Sequence, residues 1–180
     1  MADLSAARQQ QALASSSFLR QLPPASRLVL RGPPQALAAA ADALGLPRSE
    51  TSCRAAHNDV HAALWLGPDE RLLIGPADGA AEMTGQLQRA LEGLPHSVVE
   101  ISHAQVGFEV SGSAAPAALN IGCPLDLDPA SFPVDMCTRT VFAKAQIVLW
   151  RTAPDTFRVE TARSFAPYAT KILALTAQFG

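Results

Sequence analysis

Three sets of side chains have types and spacings that invite chemistry. His57 and His61 stand four apart, the spacing of two metal ligands on one helix face. They fall where a loop runs into a strand, with only Cys53 and Asp59 nearby at ligand spacing, so solvent-facing histidines are the expectation. Cys137 and His103 would be a nucleophile and its base. No third, orienting group is visible, and a Cys in a loop is ordinarily a small buried filler. Asp126 and Asp128 sit in a Pro-bounded turn, where carboxylates bond neighbouring backbone amides instead of working as an acid–base pair. Ser111-Gly112-Ser113 lacks the spacing of a nucleophile elbow, and no dinucleotide or Walker glycine loop is present. On these grounds no catalytic, cofactor-binding or metal-binding residue is assigned.

A fourth set suits binding. Arg151, Arg158 and Arg163 surround Trp150, Phe165 and Tyr168 near the C-terminus. Arginine and aromatic residues concentrate binding energy at protein interfaces. Arg151, Arg163, Phe165 and Tyr168 are therefore the candidate partner interface. The competing reading is that Phe165 and Tyr168 pack the last helix onto a sheet, since both lie on its apolar stripe.

Elements must position these residues. Arg27–Leu30 reads as a strand, and Gly32-Pro33-Pro34 turns into a helix with Leu37, Ala40, Ala41 and Leu44 on one face, closed by Gly45. Ala63–Leu66 and Arg71–Ile74 flank a Pro-Asp turn and make a hairpin. Asp78 is placed to cap a helix carrying Met83, Leu87, Leu91 and Leu94. The order then recurs. Val106, Phe108 and Val110 alternate in a strand, a short Ala-rich helix stops at Gly122, and a Pro-broken stretch follows. Ile147–Trp150 and Phe157–Glu160 flank a second Pro-Asp turn, and Ser164 is placed to cap a closing helix with Phe165, Tyr168, Ala169, Ile172, Leu173 and Phe179.

Gly32 and Gly112 are 80 positions apart, and Asp69 and Asp155 are 86 apart, at matching points of the two runs. The expected fold class is therefore α+β, as two similar halves with antiparallel sheets and helices packed on them. Residues 1–25, rich in Ala, Gln and Ser, are expected as a flexible arm, 26–95 as the first half and 96–180 as the second.

Composition narrows the function. The 180 residues are 48% apolar and 17% charged, with 14 basic against 16 acidic side chains. A net charge of −2 exerts no long-range pull on a polyanion, so no nucleic acid partner is expected. Three cysteines at uneven spacing suggest neither a disulfide framework nor a zinc knuckle. No apolar run approaches the ~20 residues that span a bilayer, and the N-terminus lacks signal-peptide character, so a cytoplasmic protein is expected.

Six stretches together resemble the gamma subunit of heterotetrameric sarcosine oxidase. They are Leu30-Arg-Gly-Pro33; Ala63-Leu-Trp-Leu-Gly-Pro-Asp-Glu-Arg-Leu-Leu-Ile74; Gly122-Cys-Pro-Leu-Asp-Leu127; Cys137-Thr-Arg-Thr140 with Lys144; Val148-Leu-Trp-Arg151; and Ala162-Arg-Ser-Phe-Ala-Pro-Tyr168. The resemblance runs from about residue 18 to 175 in the family's order. It implies a fold like the folate-binding domain of aminomethyltransferases, built of two interlocked α+β halves. It implies a non-catalytic role supporting assembly with alpha, beta and delta subunits, in a complex that oxidatively demethylates sarcosine to glycine with release of hydrogen peroxide. FAD, FMN, NAD, tetrahydrofolate and zinc would then belong to the other subunits and none to this chain. The alternative is a stand-alone folate-binding or one-carbon-transfer enzyme of the same fold. Two positions depart from the family's pattern: Ala104-Gln105 follow His103 where a basic residue is usual, and Arg71 stands where an aromatic is usual.

Overall fold

In the computed structural model, residues 18–49 and 51–176 are described. The elements run β1 (Leu19–Gln21), β2 (Ser26–Arg31), α1 (Pro34–Ala43), β3 (Ala55–His57), β4 (Ala62–Gly67), β5 (Glu70–Gly75), α2 (Ala80–Ala90), β6 (Ser97–Glu100) and β7 (Gln105–Ser111). They continue as α3 (Ala115–Asn120), β8 (Cys137–Phe142), β9 (Ala145–Ala153), β10 (Thr156–Ala162), a 3-10 turn at Arg163–Phe165, and α4 (Ala166–Thr176). Two five-stranded sheets result, ordered β3-β4-β5-β2-β6 and β1-β7-β10-β9-β8. The expected α+β class with paired antiparallel sheets is what forms.

Each sheet has the same plan. In the first, β2 lies between β5 and β6, antiparallel to both, and β4 pairs with β5 as a hairpin. That is the split βαβ arrangement, in which a strand and its crossover helix return to the far side of a hairpin. In the second, β7 takes the place of β2 and the β9–β10 hairpin that of β4–β5. The place of β6 is filled by β1, from the other end of the chain.

The chain divides into two compact units. One comprises residues 23–105 together with 135–139, the other residues 1–22, 106–134 and 140–180. Residues 1–17 of the expected arm lie outside the described residues. The remainder is ordered: Leu19 is buried opposite Val110, and Arg20 Nη2 meets Glu109 Oε1 at 2.9 Å.

The core of the first unit follows the sequence periodicity. Leu28 and Leu30 of β2, Leu73 of β5 and Ala63 of β4 meet Ala36, Ala40 and Leu44 from α1 and Met83, Leu87 and Leu91 from α2. Spacings of three and four place each helical set on one stripe, and each leucine withdrawn from water contributes about 1.5–3 kcal/mol. Pro34 starts α1, where its fixed φ is already helical. Gly45, at φ +64°, ends it: Gly45 N–H reaches Asp42 O at 3.1 Å and Leu46 N–H reaches Ala41 O at 2.8 Å. This Schellman pairing needs a left-handed residue, and buried Leu46 supplies its apolar contact.

Both expected side-chain caps are corrected. Gly79, not Asp78, precedes α2, and no side-chain cap bond is made there. Gly79 N–H is tied back to Pro76 O at 3.0 Å, so backbone geometry already sets the start. Ser164 lies inside the 3-10 turn, where it is exposed and caps nothing. Phe179 lies outside the described residues.

An arginine fastens each hairpin turn. Arg71 donates to Gly67 O at 2.7 Å and Glu70 O at 2.9 Å. Arg151 Nε donates to Pro154 O at 3.0 Å.

Candidate interaction surface

Of the four expected interface residues, two stand on the surface, one is half-buried and one is inside. The 3-10 turn leaves Arg163 and Phe165 exposed, Phe165 by 43%. Tyr168 is half-buried in the first turn of α4. The buried side of α4 begins later, with Ala169, Thr170 and Leu173. A 3-10 turn advances three residues per turn against 3.6, which rotates Phe165 off the stripe expected for it. Of the competing reading, that Phe165 and Tyr168 pack the helix onto a sheet, exposed Phe165 does not fit and half-buried Tyr168 does.

Arg151 is a correction: it is 1% exposed. Its guanidinium donates to the carbonyls of Pro154, Leu127 and Phe132 and lies 4.8 Å from the centre of the Phe157 ring. A buried charge is tolerated when it is hydrogen-bonded, and three carbonyls and an aromatic face serve this one. Arg151 organises the Pro-broken segment around Phe132, so it is structural. The sequence did not single out Ile121, Val134 and Val141, which the same unit leaves exposed. In β8 the exposed side chains alternate, yet no apolar repeat betrays the strand.

The remaining candidates are dispersed. His57 Nε2 meets Asp135 Oδ1 at 3.1 Å, whereas His61 Nδ1 meets Leu44 O at 3.2 Å. The two imidazoles serve different partners, and among the described residues no group of three His, Cys, Asp or Glu could hold a metal. Cys137 is fully buried, its Sγ accepting the Trp65 N–H at 3.2 Å. Burial pushes its thiol up to about 12, the opposite of an activated nucleophile. His103 is exposed. Asp126 accepts the Asp128 N–H at 3.0 Å and the Ser131 hydroxyl at 2.7 Å, and Asp128 accepts the Ala130 N–H at 2.9 Å. These local bonds, Ser131 foremost, hold the Asp126 carboxyl below its usual range.

One charge cluster was not foreseen. Glu70, at the tip of the β4–β5 hairpin, is buried and accepts from Arg31 Nη2 at 2.8 Å and Arg139 Nη2 at 2.8 Å. Arg139 lowers the Glu70 carboxyl pKa most, against the opposing effect of burial, and Arg31 adds to it. The same short segment, residues 135–139, also joins β3: Arg54 bridges Met136, with Ala55 N–H to Asp135 O at 2.8 Å and Cys137 N–H to Cys53 O at 2.9 Å.

The fold is thus α+β, two split βαβ units, the second of which leaves Arg163 and Phe165 exposed. Its backbone is similar to the glycine cleavage system aminomethyltransferase T from Bartonella henselae, with a TM-score of 0.64 over 92% of this chain and 47% of that one. Identity there is 14%, a likeness of fold alone. The sarcosine oxidase, gamma subunit family model matches residues 31–177, and the chain belongs to that family. It is 36% identical over 160 residues to a sarcosine oxidase subunit gamma from an Arthrobacter species, covering 87% of this chain and 77% of the relative. It is also similar to a chain of the heterotetrameric sarcosine oxidase from Corynebacterium sp. U-96, with a TM-score of 0.84, 30% identity, and coverage of 99% and 94%.

Proposed function

We propose that the chain is a non-catalytic subunit of a heterotetrameric sarcosine oxidase, docking on the alpha, beta and delta subunits, which carry the flavins, NAD, tetrahydrofolate and zinc. The observation that carries the reading is the end-to-end likeness to one chain of the Corynebacterium heterotetramer, at 99% and 94% coverage. Arg163, Phe165 and Tyr168 are the proposed docking residues: an exposed ring and guanidinium carried on a short rigid turn lose little entropy on binding. The reaction of the assembly is the oxidative demethylation of sarcosine to glycine with release of hydrogen peroxide. No helix among the described residues is long and apolar enough to cross a membrane, and a cytoplasmic location is the proposal that goes with a soluble oxidase.

Co-expression with the larger flavoprotein subunits tests the reading. A tagged copy of this chain is expected to retain them through size exclusion at a fixed ratio. An oxidase that assembles with full activity and full thermal stability without this chain would overturn it. The stand-alone folate-binding enzyme is not favoured, because its support is the likeness of fold at 14% identity.

A further inference from the structure

All three cysteines are free thiols, Cys53 half-buried and Cys123 and Cys137 buried. Two of them are joined through the backbone, Cys53 in the turn before β3 and Cys137 at the start of β8. The antiparallel bridge between Arg54 and Met136, with the Cys137 N–H on Cys53 O at 2.9 Å, sets Cys53 directly opposite Cys137. A backbone N–H on a carbonyl at 2.9 Å brings the two residues close together, on the scale of the roughly 4.4–6.8 Å between Cα atoms that a disulfide spans. Cys53 moreover holds φ +57°, left-handed backbone that glycine or asparagine occupies with less strain. Strain of this kind persists where the surrounding structure imposes it and collects at sites with a task.

We propose that Cys53 and Cys137 form a reversible disulfide when the protein meets a peroxide, stapling the Asp135–Arg139 segment to β3. The Cys53 thiolate attacks one peroxide oxygen. The O–O bond breaks, and hydroxide leaves and takes up a proton as water. Cys53 is then a sulfenic acid. The Cys137 sulfur attacks the Cys53 sulfur, the S–O bond breaks, and the departing hydroxide leaves as water with the Cys137 proton as the S–S bond forms. Two thiols are oxidised and one hydrogen peroxide is reduced to two waters.

The order follows from access. Cys53 is the thiol that solvent reaches, whereas Cys137 is enclosed and accepts the Trp65 N–H at 3.2 Å. To close the staple Cys137 turns from Trp65 toward its opposite number and never needs solvent. Burial keeps it protonated, so the second step is slow, which suits a response to sustained oxidant. That the oxidant is the enzyme's own product rests on the proposed function; the staple does not.

The test treats the full-length chain with hydrogen peroxide, alkylates it under denaturing conditions, and maps its peptides without reduction. The expected result is loss of two of the three titratable thiols and a peptide linking Cys53 to Cys137 that has shed two hydrogens, with Cys123 still alkylated. Dithiothreitol restores both thiols. Cys53→Ser keeps its two thiols at the same dose. Sulfinic or sulfonic acid at Cys53 with Cys137 still alkylated overturns the proposal, as does a link to Cys123 or no loss of thiols at all. The wild-type map decides the matter even if the variant misfolds. Failure to co-purify with the larger subunits removes the proposed source of peroxide and leaves the staple to this map.

Discussion

Arg139 grips Glu70 with both terminal nitrogens, Nη2 on Oε1 at 2.8 Å and Nη1 on Oε2 at 3.4 Å. One residue belongs to the five-residue excursion 135–139 and the other to the tip of the first hairpin, so the pair ties a late stretch of chain into a unit otherwise finished by residue 105. Arg31 completes the clamp from β2. The carboxylate is enclosed while both guanidiniums are about half exposed. Loss of the acid therefore frees two solvated cations, whereas loss of Arg139 leaves a buried anion with one partner.

Arg139→Ala is expected to destabilise the protein by about 2 kcal/mol and Glu70→Gln by about 1 kcal/mol, read as shifts of the urea midpoint. The Glu70 carboxyl is held below its ordinary 4.5 by Arg139 first and Arg31 second. A lowered folded-state pKa contributes stability above the unfolded value and loses it as pH falls through the folded one. The melting-temperature gap between wild type and Glu70→Gln should thus be full at pH 7 and narrow progressively below pH 4.5. An unchanged gap at low pH would refute the clamp.

Arg151→Lys should cost about 2–4 kcal/mol in thermal or chemical unfolding, although it keeps the charge. An ammonium cannot serve Pro154, Leu127 and Phe132 from the plane that faces Phe157. Arg151→Ala should cost at least as much by leaving three carbonyls without their donor.

At Gly122 there is no room for a side chain. An added Cβ would stand 2.8 Å from two carbons of the Phe142 ring and 3.0 Å from the Ala143 nitrogen, whose N–H bonds Gly122 O at 2.8 Å. Phe142 is buried and cannot withdraw. Gly122→Ala should lose about 1–3 kcal/mol, and a melt indistinguishable from wild type would contradict this packing.

Phe165→Ala and Arg163→Ala should each weaken retention of the larger subunits roughly tenfold or more, as truncations at an interface anchor do. The effect of Phe165→Ala on the melting of the isolated chain should be within about 0.5 kcal/mol, as for exposed positions generally. Surface plasmon resonance against the purified large subunits separates binding from stability. Lowered melting with unchanged affinity would return both residues to a packing role.

What the sequence disclosed follows burial. The helices with Ala40 and Leu44 and with Met83, Leu87 and Leu91, and the two Pro-Asp hairpins, bury whole stripes or alternate faces and so carry a period. The strands not foreseen carry none. In β6 only Val98 is even partly buried, and β1 is three residues long ahead of a Pro-Pro pair. Arg163 and Phe165 stood out by residue type, but the sequence left open whether Phe165 faces solvent or packs on the sheet, because the 3-10 turn that exposes it shows no period. Arg151 was not, because carbonyls offered by distant loops leave no mark in the residues beside it. The opposition of Cys53 and Cys137 depends on a single bridge between segments more than eighty residues apart, and no local pattern encodes that.

The pairing of β1 with β7 sets a timetable. Strands β2 to β6 lie within residues 26–100 and can pair while the ribosome is still extending the chain. Leu19 emerges before any of them but must wait about ninety residues for Val110. At about 5–20 residues per second that wait lasts roughly 5–20 s. Throughout it β1 is an unclaimed edge, and a trigger-factor-like holdase or a bulky N-terminal fusion would act on a strand that precedes every other described strand yet cannot pair until β7 is made.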